Sequence, residues 1–427
     1  MTTPAEPSQP ESYDVVIVGG GPVGLAVALT LDRANVATVV IERQCFPIDK
    51  VCGEGIMPTG IEALRHLGIF DDVAEVMKRP FAGIKYVNEQ GDAAVGSFGS
   101  KPGYGIRRLG LSQAFFKKAK AAEGVTLFEK TVLTHLERSE GGWSLTIRQK
   151  DEERKIHAKL LIGADGMRSK VRRVACLESE PPTPMKRYGA RQHFNLEPWS
   201  DYVEVHWGRG IEAYVTPSAD DRVEIAFLWQ HVHRRELFGG KQGLTQFLDH
   251  FPLLRERILD ASPINDLRGI GPLAVRSKSA SDDGLLLLGD AYGYIDGITG
   301  EGISVGLEQA IAVGEMLPAV MASKGTSADA LRPIGNRIEK LFRKSIPTTL
   351  LALFLTKHRL VRDMAIAGLR RSPRLFDAIL EVNMGNRQMW AMPIFALCRA
   401  VWGAFWHALK TRQRALPERQ ADSSVDT

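Results

Sequence analysis

The chain has 427 residues, of which 44% are hydrophobic and 25% are charged, and its formal net charge at pH 7 is +5. A chain of this length and composition can bury a sizeable core in two or three structural units, which excludes disorder except at the ends. The four cysteines have neither metal-ligand nor disulfide-framework spacing, and residues 1–12 lack the charged-then-apolar pattern of a signal peptide. We therefore expect a cytoplasmic protein that is not secreted and binds no metal.

The first predicted elements are a strand, a glycine-rich turn, a helix and a second strand. Residues 15–18 form the first strand, the helix begins near Pro22, and residues 36–41 form the second strand, which ends at Glu42. The turn has G-x-G-x-x-G spacing and consists of Gly19, Gly21 and Gly24. These elements in this order are typical of a dinucleotide-binding βαβ unit, and the alternative is a simple glycine-rich turn.

Each glycine of this turn has a mechanical role in such a unit. Gly19 permits the tight turn, Gly21 lets the backbone approach a pyrophosphate, and Gly24 lets the helix pack close to the sheet. The helix directs its unpaired amides and its partial positive charge at the phosphates. Glu42 can accept hydrogen bonds from the ribose hydroxyls of an adenosine, and the adjacent Arg43 is a further candidate nucleotide contact.

Further motifs lie far along the chain, each after a predicted strand or before a predicted helix. In chain order they are Arg107 and Arg108 before a helix, Asp165 and Gly166 after an apolar strand, Asp290 after a second apolar strand, and Gly300, Glu301 and Gly302 before another helix. The strand over residues 285–288 is fully apolar, as expected inside a parallel sheet that is covered on both faces.

The glycine turn near the start, Asp165 and Gly166 in the middle and Asp290 late in the chain resemble three known fingerprints. They are similar to those of the p-hydroxybenzoate hydroxylase-like FAD-dependent oxidoreductases, which include single-component aromatic hydroxylases and have geranylgeranyl reductases and flavin halogenases as relatives. The resemblance covers residues 13–320 and implies that the chain binds FAD and consumes NAD(P)H.

The resemblance also implies roles for matching residues. Glu42 would contact the adenosine ribose of FAD, and Asp290 would contact the ribityl chain. Arg108 falls where the family carries an arginine near the phosphate and ribityl region of the flavin, and Arg107 is the alternative. Asp165 and Gly166 would help to bind both FAD and NAD(P)H. The alternative is that these two residues form only a turn that holds the sheet together.

Two loops are assigned to the flavin ring by the same resemblance. Residues 300–302 would begin a helix whose amides face the pyrimidine edge of the flavin, although Gly297 stands where the family usually has proline and predicts a more flexible loop. Residues 50–55 resemble the loop over the flavin in the reductase and halogenase branch. Cys52 and Gly53 are therefore candidate cofactor contacts, Cys52 either as a redox-active thiol or as a small residue packed beside the ring.

The middle of the chain is predicted to form a separate antiparallel sheet. Its strands cover residues 187–194, 202–207, 211–216 and 222–229. The resemblance implies that two further short strands, near residues 84–88 and 93–98, belong to the same sheet. In the resembled family such a sheet forms the roof of the substrate cavity. The candidate substrate contacts on it are His193, His206 and Tyr214, which can assist as acid or base, and the alternative for each is a structural core residue.

The same sheet bears on the choice between branches of the family. Geranylgeranyl reductases carry an aromatic-rich motif that ends in proline. If its end is aligned on Pro217, then Glu212, Tyr214 and Thr216 stand where tyrosine, tryptophan and phenylalanine are expected. The tryptophan-rich motif of flavin halogenases is also missing from the sequence, so we do not expect halogenation.

The C-terminal region is basic, with 16 Lys and Arg against 4 Asp and Glu over residues 331–414. Apolar helices are predicted over residues 346–355, 366–380 and 393–409, and Arg399 interrupts the best candidate for a membrane span, residues 391–406. Two interpretations stay open: a surface that rests peripherally on anionic lipid, or a helical lid with a solvated basic face. Nucleic acid is not an expected partner, because no recognised binding module accompanies the charge.

The predicted fold class is α/β: a Rossmann-like FAD-binding domain, an antiparallel β-sheet substrate domain and a helical C-terminal region. The predicted boundaries are 13–80, 100–182 and 270–330 for the FAD-binding domain, 81–99 and 183–269 for the substrate domain, 331–414 for the basic helical region, and 1–12 and 415–427 for disordered tails.

Three functions are consistent with the sequence. The first is an NAD(P)H-consuming monooxygenase that acts on a hydrophobic aromatic, polyketide or prenyl substrate. The second is a flavin-dependent reductase or dehydrogenase of a prenyl or lipid-like substrate. The third is a non-catalytic nucleotide-binding protein that has kept the fold. The sequence does not predict an oligomeric state.

Overall fold

The computed structural model describes residues 11–181, 186–230 and 245–387. The strands are β1 Glu11–Val18, β2 Thr38–Ile41, β3 Gly55–Ile56, β4 Lys78–Phe81, β5 Gly83–Val87, β6 Ala93–Ser97, β7 Gly103–Ile106, β8 Val125–Phe128, β9 Thr131–Ser139, β10 Gly142–Gln149, β11 Glu152–Gly163, β12 Glu178–Ser179, β13 Arg187–Asn195, β14 Val203–Trp207, β15 Ile211–Ala219, β16 Arg222–Gln230, β17 Ser262–Pro263, β18 Arg268–Ile270, β19 Val275–Ser277, β20 Ser281–Asp282, β21 Leu285–Leu287 and β22 Gly293–Tyr294. The helices are α1 Pro22–Arg33, α2 Pro58–His66, α3 Arg108–Ala121, α4 Lys170–Val174, α5 Thr245–Leu248, α6 Pro252–Ile258, α7 Gly302–Lys324, α8 Ala328–Lys357, α9 Arg359–Arg371 and α10 Pro373–Asn383, and short 3-10 turns cover Glu75–Met77 and Gly289–Ala291.

The main sheet has the strand order β20-β21-β11-β1-β2-β8, with β10 and β9 added beside β11. The pairs formed by β21, β11, β1, β2 and β8 are parallel. The side chains of Val15, Val16 and Ile17 are fully buried, because the sheet is covered on both faces. The carboxyl ends of β1, β2, β11 and β21 share one edge, which is where an open parallel sheet binds its ligand.

A second sheet, here called the roof sheet, has the order β17-β13-β16-β15-β14-β5-β6, with β18 beside β13. It is antiparallel except for the parallel pair β14 and β5. One correction concerns the strand expected over residues 211–216: β15 continues beyond it through Pro217 to Ala219. The register shifts between Pro217 and Ala219, and an irregularity of this kind is where a strand tolerates a residue that has no N–H to donate.

The C-terminal helices pack on the body of the protein. Helix α10 lies against β6, and the ring of its Phe376 is 4.8 Å from that of Tyr86 on the neighbouring β5. The single helix expected over residues 366–380 is wrong: it is divided between α9 and α10 at Ser372 and Pro373, because proline lacks an N–H and disfavours helical geometry in the residue before it. The helix expected over residues 393–409 lies outside the described residues, as do the expected tails apart from residues 11–12, which belong to β1.

Helix α7 has the length and apolar composition of a membrane span, and among the described helices it is the one that does. Its composition follows from its place in the core, between α1 and α8. Gly314 of α7 lies directly against Thr30 of α1, where a Cβ atom would overlap the threonine side chain. The predicted fold class is confirmed: a Rossmann-like sheet, a largely antiparallel second sheet and C-terminal helices.

Candidate cofactor and substrate site

The glycine-rich turn between β1 and α1 forms one end of a large cavity. A Cβ atom on Gly19 would overlap the carbonyl oxygen of Ala164, and a Cβ atom on Gly24 would overlap the carbonyl oxygen of Gly19. A Cβ atom on Gly21 would meet no atom within 4 Å. The backbone of the turn itself therefore requires glycine at positions 19 and 24. Gly21 instead faces open space at the N-terminus of α1, where a phosphate group fits.

Glu42 lies directly after β2, and the backbone fixes its side chain. Its Oε2 accepts a hydrogen bond from the amide of Gly20 at 2.8 Å, and its Oε1 accepts one from the amide of Gln44 at 2.8 Å. Both Glu42 and Arg43 line the cavity. Each carboxylate oxygen has a second lone pair, so the group can still accept hydrogen bonds from ribose hydroxyls.

Asp165 both caps a helix and lines the cavity. Its Oδ2 accepts hydrogen bonds from the amides of Lys170 at 2.7 Å and Val171 at 3.3 Å, which caps α4. Its Oδ1 is buried and has no hydrogen-bond partner in the protein, and burial raises the pKa of this carboxyl group. Asp165 and Gly166, which has a φ of +79°, both line the cavity.

Asp290 enters the cavity from the opposite side of the same sheet edge. It lies in the 3-10 turn after β21, and its carboxylate forms an ion pair with Lys50 at 3.1 Å. Both residues line the cavity and are partly exposed to it. The structure thus brings Gly21, Asp165 and Asp290, which are far apart in sequence, to the wall of one cavity.

Arg108, the first residue of α3, lines the cavity, whereas Arg107 does not. Arg108 is only 7% exposed, and its Nε and Nη1 atoms are buried without a hydrogen-bond partner in the protein. A buried guanidinium with unused donors is costly, and an anionic ligand would satisfy it. Arg107 instead lies 3.8 Å from the carboxylate of Glu54.

The loop before α7 differs in detail from the expectation. Gly300 has a φ of +69° and α7 begins at Gly302, and both glycines line the cavity. Glu301 does not line it, so a cofactor contact at this position would use its backbone amide, as expected for residues 300–302, and not its side chain. Its side chain faces a small pocket behind the loop, and burial, followed by the nearby charge of Glu308, raises its pKa to about 8.

Buried contacts from the roof sheet hold this loop in place. Arg187 forms an ion pair with Glu212 at 2.5 Å, and its Nε lies 2.9 Å from Oδ2 of Asp296 at the start of the loop. The hydroxyl of Tyr214 donates to the carbonyl oxygen of Ile298 at 3.1 Å. Gly297, which replaces the usual proline, is therefore flanked by two anchored residues.

Cys52 and Gly53 lie on the cavity wall, and a Cβ atom on Gly53 would meet no atom within 4 Å. Burial raises the pKa of the Cys52 thiol, so the group is held in its protonated form. Its sulfur accepts a hydrogen bond from the amide of Glu54 at 3.4 Å. These features favour the interpretation of Cys52 as a small packing residue rather than a redox-active thiolate.

Of the three candidate substrate contacts, Tyr214 lines the cavity and the two histidines do not. On β14, Val205 and Trp207 line the cavity, so strand alternation turns His206 away, where its Nε2 lies 2.9 Å from Glu204. His193 is fully buried behind Glu54, with its Nε2 2.8 Å from the glutamate Oε2. The structure therefore does not support the expectation that His193 and His206 contact the substrate directly.

The cavity has a volume of about 1170 Å³. This exceeds the range of roughly 300–1,000 Å³ that holds one small ligand, so a dinucleotide and a second molecule fit together. Its far part is walled by apolar side chains from β5, β14 and the C-terminal helices, among them Ile84, Val205, Leu355, Leu369 and Phe376.

The roof sheet is apolar at one side of the cavity and charged at the other. One row across the sheet runs through Val205, Tyr214, Ala226 and Arg191, from β14 to β13. Arg191 is fully buried and forms an ion pair with Asp49 from the loop before Cys52. A bound molecule would therefore meet apolar groups along β14 and charged groups along β13.

Four residues of this charged corner were not predicted from the sequence: Asp49, Glu54, Arg191 and Glu224. Glu54 and Asp49 flank the Cys52 loop, which was considered only for its cysteine and glycine. One signal for them was present in β13, where Arg191 and His193 are two positions apart and therefore lie on the same face of a largely buried strand. Charged residues on the inner face of a strand point to a functional cavity or to buried ion pairs.

These residues fit FAD. The open space at Gly21, the unpartnered oxygen of Asp165 and the unpartnered guanidinium nitrogens of Arg108 are all features that a bound dinucleotide would complete. They line the same cavity as Glu42 and Asp290.

Comparisons with known proteins agree with this geometry. The FAD-binding domain family matches residues 12–331. A digeranylgeranylglycerophospholipid reductase of Methanococcus vannielii is 26% identical over 75% of this chain and 80% of its own length. A menaquinone reductase of Mycobacterium tuberculosis is 27% identical over 72% of this chain and 77% of its own length.

Solved structures show the same fold at lower identity. A flavoprotein/dehydrogenase of Cytophaga hutchinsonii has a TM-score of 0.76 at 19% identity, covering 88% of this chain and 93% of its own. A p-nitrophenol 4-monooxygenase of Pseudomonas putida has a TM-score of 0.72 at 19% identity, covering 87% of this chain and 99% of its own.

Proposed function

The chain belongs to the FAD-binding domain family, as the resemblance implied, and it is an FAD-dependent oxidoreductase; we propose that it consumes NAD(P)H and acts as a monooxygenase on a long, largely apolar substrate. The observation that carries this proposal is the continuity of the cavity. One wall holds the nucleotide-binding turns, and the same space extends to apolar side chains of α8, α9 and α10.

The residues of the chain bind, orient and exclude water. FAD reduced by NAD(P)H supplies the electrons for the reaction when it is bound. Gly21 and the N-terminus of α1 would receive its phosphates, and Arg108 and Asp290 would contact its central part. Tyr214 fixes the loop before α7 through Ile298. The apolar wall keeps water from the reacting part of the cavity.

The apolar part of the cavity supports a substrate with a long hydrophobic chain and one polar end. The polar end would lie near the charged corner on β13, and the chain would lie against α9 and α10. The two reductases described above act, by their names, on a digeranylgeranylglycerophospholipid and on menaquinone, which supports a substrate of this kind.

A second candidate is a flavin-dependent reductase of a lipid-like substrate. Two observations favour it: the curated relatives described above are reductases, and the charged corner provides groups that can donate a proton. It differs from the first candidate in needing no oxygen.

Exposed apolar side chains surround the cavity near the junction of α8 and α9, and they support peripheral contact with a lipid surface. Leu351 and Val361 line the cavity and are also 54% and 43% exposed. Leu360 is 70% exposed, and Lys357 and Arg359 provide positive charge beside it. Substrate would then enter directly from the lipid. The cytoplasmic location expected from the sequence is compatible with such reversible binding.

The test uses protein loaded with FAD and phenols that carry prenyl chains of increasing length. We expect longer chains to stimulate NAD(P)H oxidation more strongly, with one oxygen molecule consumed for each NAD(P)H. Oxidation of NAD(P)H without oxygen consumption would replace the first candidate by the second. Protein that purifies without FAD and is inert to NAD(P)H would support the non-catalytic alternative.

A matched variant tests the assignment of the apolar part of the cavity. Ala365 of α9 lines it, and Ala365→Phe would fill space there. We expect the variant to lose the response to long chains and to keep the response to short ones. An equal loss for all chain lengths would contradict the proposed location of the chain.

A further inference from the structure

Two buried glutamates meet at the charged corner of the cavity. Glu54, in the loop after Cys52, lines the cavity, and Glu224 on β16 lies behind it with no exposure to solvent. Oxygen atoms of both carboxyl groups and Nε2 of His193 lie within 4.8 Å of one another. His193 and Glu224 are direct neighbours across the β13 and β16 pair. Neither the nucleotide-binding turns nor the apolar wall explains this cluster.

The surroundings of Glu54 stabilise a negative charge. Its Oε1 accepts a hydrogen bond from the amide of Arg108 at 2.8 Å, at the N-terminus of α3. Its Oε2 lies 2.8 Å from Nε2 of His193 and 3.8 Å from Nε of Arg107. The hydrogen bonds from His193, Glu224 and the Arg108 amide hold the pKa of Glu54 below its usual range against the opposing effect of burial.

The surroundings of Glu224 are the opposite. Both of its carboxyl oxygens are buried without a hydrogen-bond partner in the protein. The Nε2 atom of His193 lies 3.3 Å from Oε2. The neighbouring hydroxyl on β15, that of Thr216, donates to the carbonyl oxygen of Gly53 instead. Burial and the charge of Glu54 raise the pKa of Glu224 to about 8. A neutral Glu224 can donate its own proton to Glu54, which satisfies both groups.

The imidazole of His193 fixes the direction of these bonds. Nδ1 faces Nη1 of Arg191 at 3.0 Å and Nδ2 of Asn265 at 2.7 Å, and both of these groups are donors. The orientation of the Asn265 amide follows from its Oδ1, which accepts from the amide of His193 at 3.1 Å. Although the two glutamates raise the pKa of His193, Nδ1 must accept, so the ring carries its proton on Nε2, directed at the glutamates.

The same tautomer argues against a metal ion in this cluster. Two carboxylates and a histidine are ligands that a divalent cation accepts, but coordination by Nε2 would require the proton to move to Nδ1. A metal-bound histidine donates from its other nitrogen to an acceptor, and here Arg191 and Asn265 offer donors to that nitrogen.

We propose that Glu54 and Glu224 share a single proton and form the proton-exchange pair of this cavity, with Glu54 at the wall and Glu224 as the reservoir behind it. The shared proton stands on the contacts above, whereas its role in exchange rests on the proposed oxidoreductase function. When a substrate hydroxyl loses its proton, Glu54 accepts it and the pair then holds two protons. When a substrate gains electrons from the reduced cofactor, the proton on Glu224 moves to Glu54 and from there to the substrate, and solvent restores it. No other bond of the pair changes.

The ionisable groups that face the pair come from four elements. They are Asp49 and Cys52 in the loop that also carries Glu54, Arg191 and His193 on β13, and Arg107 and Arg108 at the start of α3. The fourth element is β16, which carries Glu224 itself. Asp49 pairs with both Arg191 and Arg268, and the Cys52 thiol is protonated. The single negative charge of the pair therefore lies among donors: His193, Arg191 and the two arginines at the start of α3.

The first experiment needs no cofactor. Infrared spectra of the apoprotein are compared in a Glu301→Gln background, because the Glu301 carboxyl also has a pKa of about 8 and would give the same signal. The three proteins are this background alone, the background with Glu224→Gln, and the background with a matched control, Glu204→Gln, at a buried position on the face of the roof sheet away from the cavity. We expect a protonated-carboxyl band that disappears as the pH is raised through about 8 and that is missing from Glu224→Gln but present in the control. The same band in Glu224→Gln would overturn the proposal.

The second experiment uses the protein with FAD bound and measures the flavin midpoint potential between pH 6 and pH 9.5. We expect the slope against pH to change near pH 8 in the wild type and in Glu204→Gln, and this change to be lost in Glu224→Gln. Identical profiles in all three proteins would overturn the exchange role. Failure to bind FAD would contradict the proposed function instead, and the infrared result would still decide whether the proton is shared.

Discussion

The hydroxyl of Tyr214 on the roof sheet donates to the carbonyl oxygen of Ile298 at 3.1 Å, which ties the roof of the cavity to the loop before α7. The loop is the part of the nucleotide-binding body that reaches the substrate side of the cavity. Tyr214→Phe removes the bond and little volume. Because one such hydrogen bond contributes ~1 kcal/mol, we expect FAD affinity to fall by up to roughly fivefold, measured by fluorescence titration. Tyr202→Phe, next to the same sheet, is the control, and equal affinity in both variants would contradict a role of the bond in loop placement.

Arg108 and Arg107 are adjacent, but only Arg108 presents unused donors to the cavity. A charge-assisted hydrogen bond contributes roughly 1.5–3 kcal/mol, so Arg108→Met is expected to weaken FAD binding by about 10- to 100-fold. The apoprotein should keep its stability, because the lost Nε and Nη1 have no hydrogen-bond partner in the protein. Arg107→Met should leave FAD affinity within about threefold. A larger effect at Arg107 than at Arg108 would reverse the assignment.

Glu301 predicts a pH-dependent change in stability. Its pKa is raised from 4.5 to about 8, so the folded protein retains a proton that the unfolded chain releases in this interval. The free energy of unfolding should therefore fall as the pH rises from about 4.5 to about 8, by at most ~1.4 kcal/mol per pH unit from this group. In Glu301→Gln this loss should be missing, as followed by urea denaturation at several pH values. Glu315→Gln, an exposed position on the same helix, should behave like the wild type, and parallel pH profiles in all three proteins would show that Glu301 is not buried in this way.

The exposed leucines at the junction of α8 and α9 test contact with lipid. Leu351→Glu combined with Leu360→Glu places two charges on side chains that are 54% and 70% exposed, so folding should be unaffected. We expect the wild type to sediment with anionic vesicles and the double variant to stay in solution. Val76→Glu changes an apolar side chain that is 72% exposed and does not line the cavity, and it should sediment like the wild type. Sedimentation of all three proteins, or of none, would leave the C-terminal helices as a lid only.

The sequence predicted those parts of the site that local backbone geometry determines. Gly19 and Gly24 are needed because two backbone segments nearly touch there, and such a requirement leaves a spacing that can be recognised in the sequence. The acids that follow strands, Asp165 and Asp290, could be located because parallel strands end at a common edge. The roof sheet was also recognisable from alternation along its strands.

What the sequence could not predict depends on contacts between distant segments. The pairing of Glu54 with His193 joins a loop to a strand 139 positions away, and nothing local marks either residue as a partner of the other. His206 is also a histidine on the roof sheet, but its side chain faces away from the cavity, because its neighbours Val205 and Trp207 are the residues of β14 that face the cavity. Glu301 follows a glycine of positive φ, and that backbone conformation turned its side chain behind the loop instead of into the cavity.

The most direct test of FAD binding at the glycine turn is the FAD content of Gly21→Val compared with the wild type. A Cβ atom at Gly21 would meet no atom of the protein within 4 Å, and the residue has an ordinary φ of −70°, so the variant should fold with unchanged stability. The added side chain would occupy the space assigned to the pyrophosphate. We predict one FAD per wild-type chain and loss of FAD from the folded variant, measured by absorbance after reconstitution. A wild type that stays colourless with excess FAD, or a variant that binds FAD as tightly as the wild type, would contradict the account.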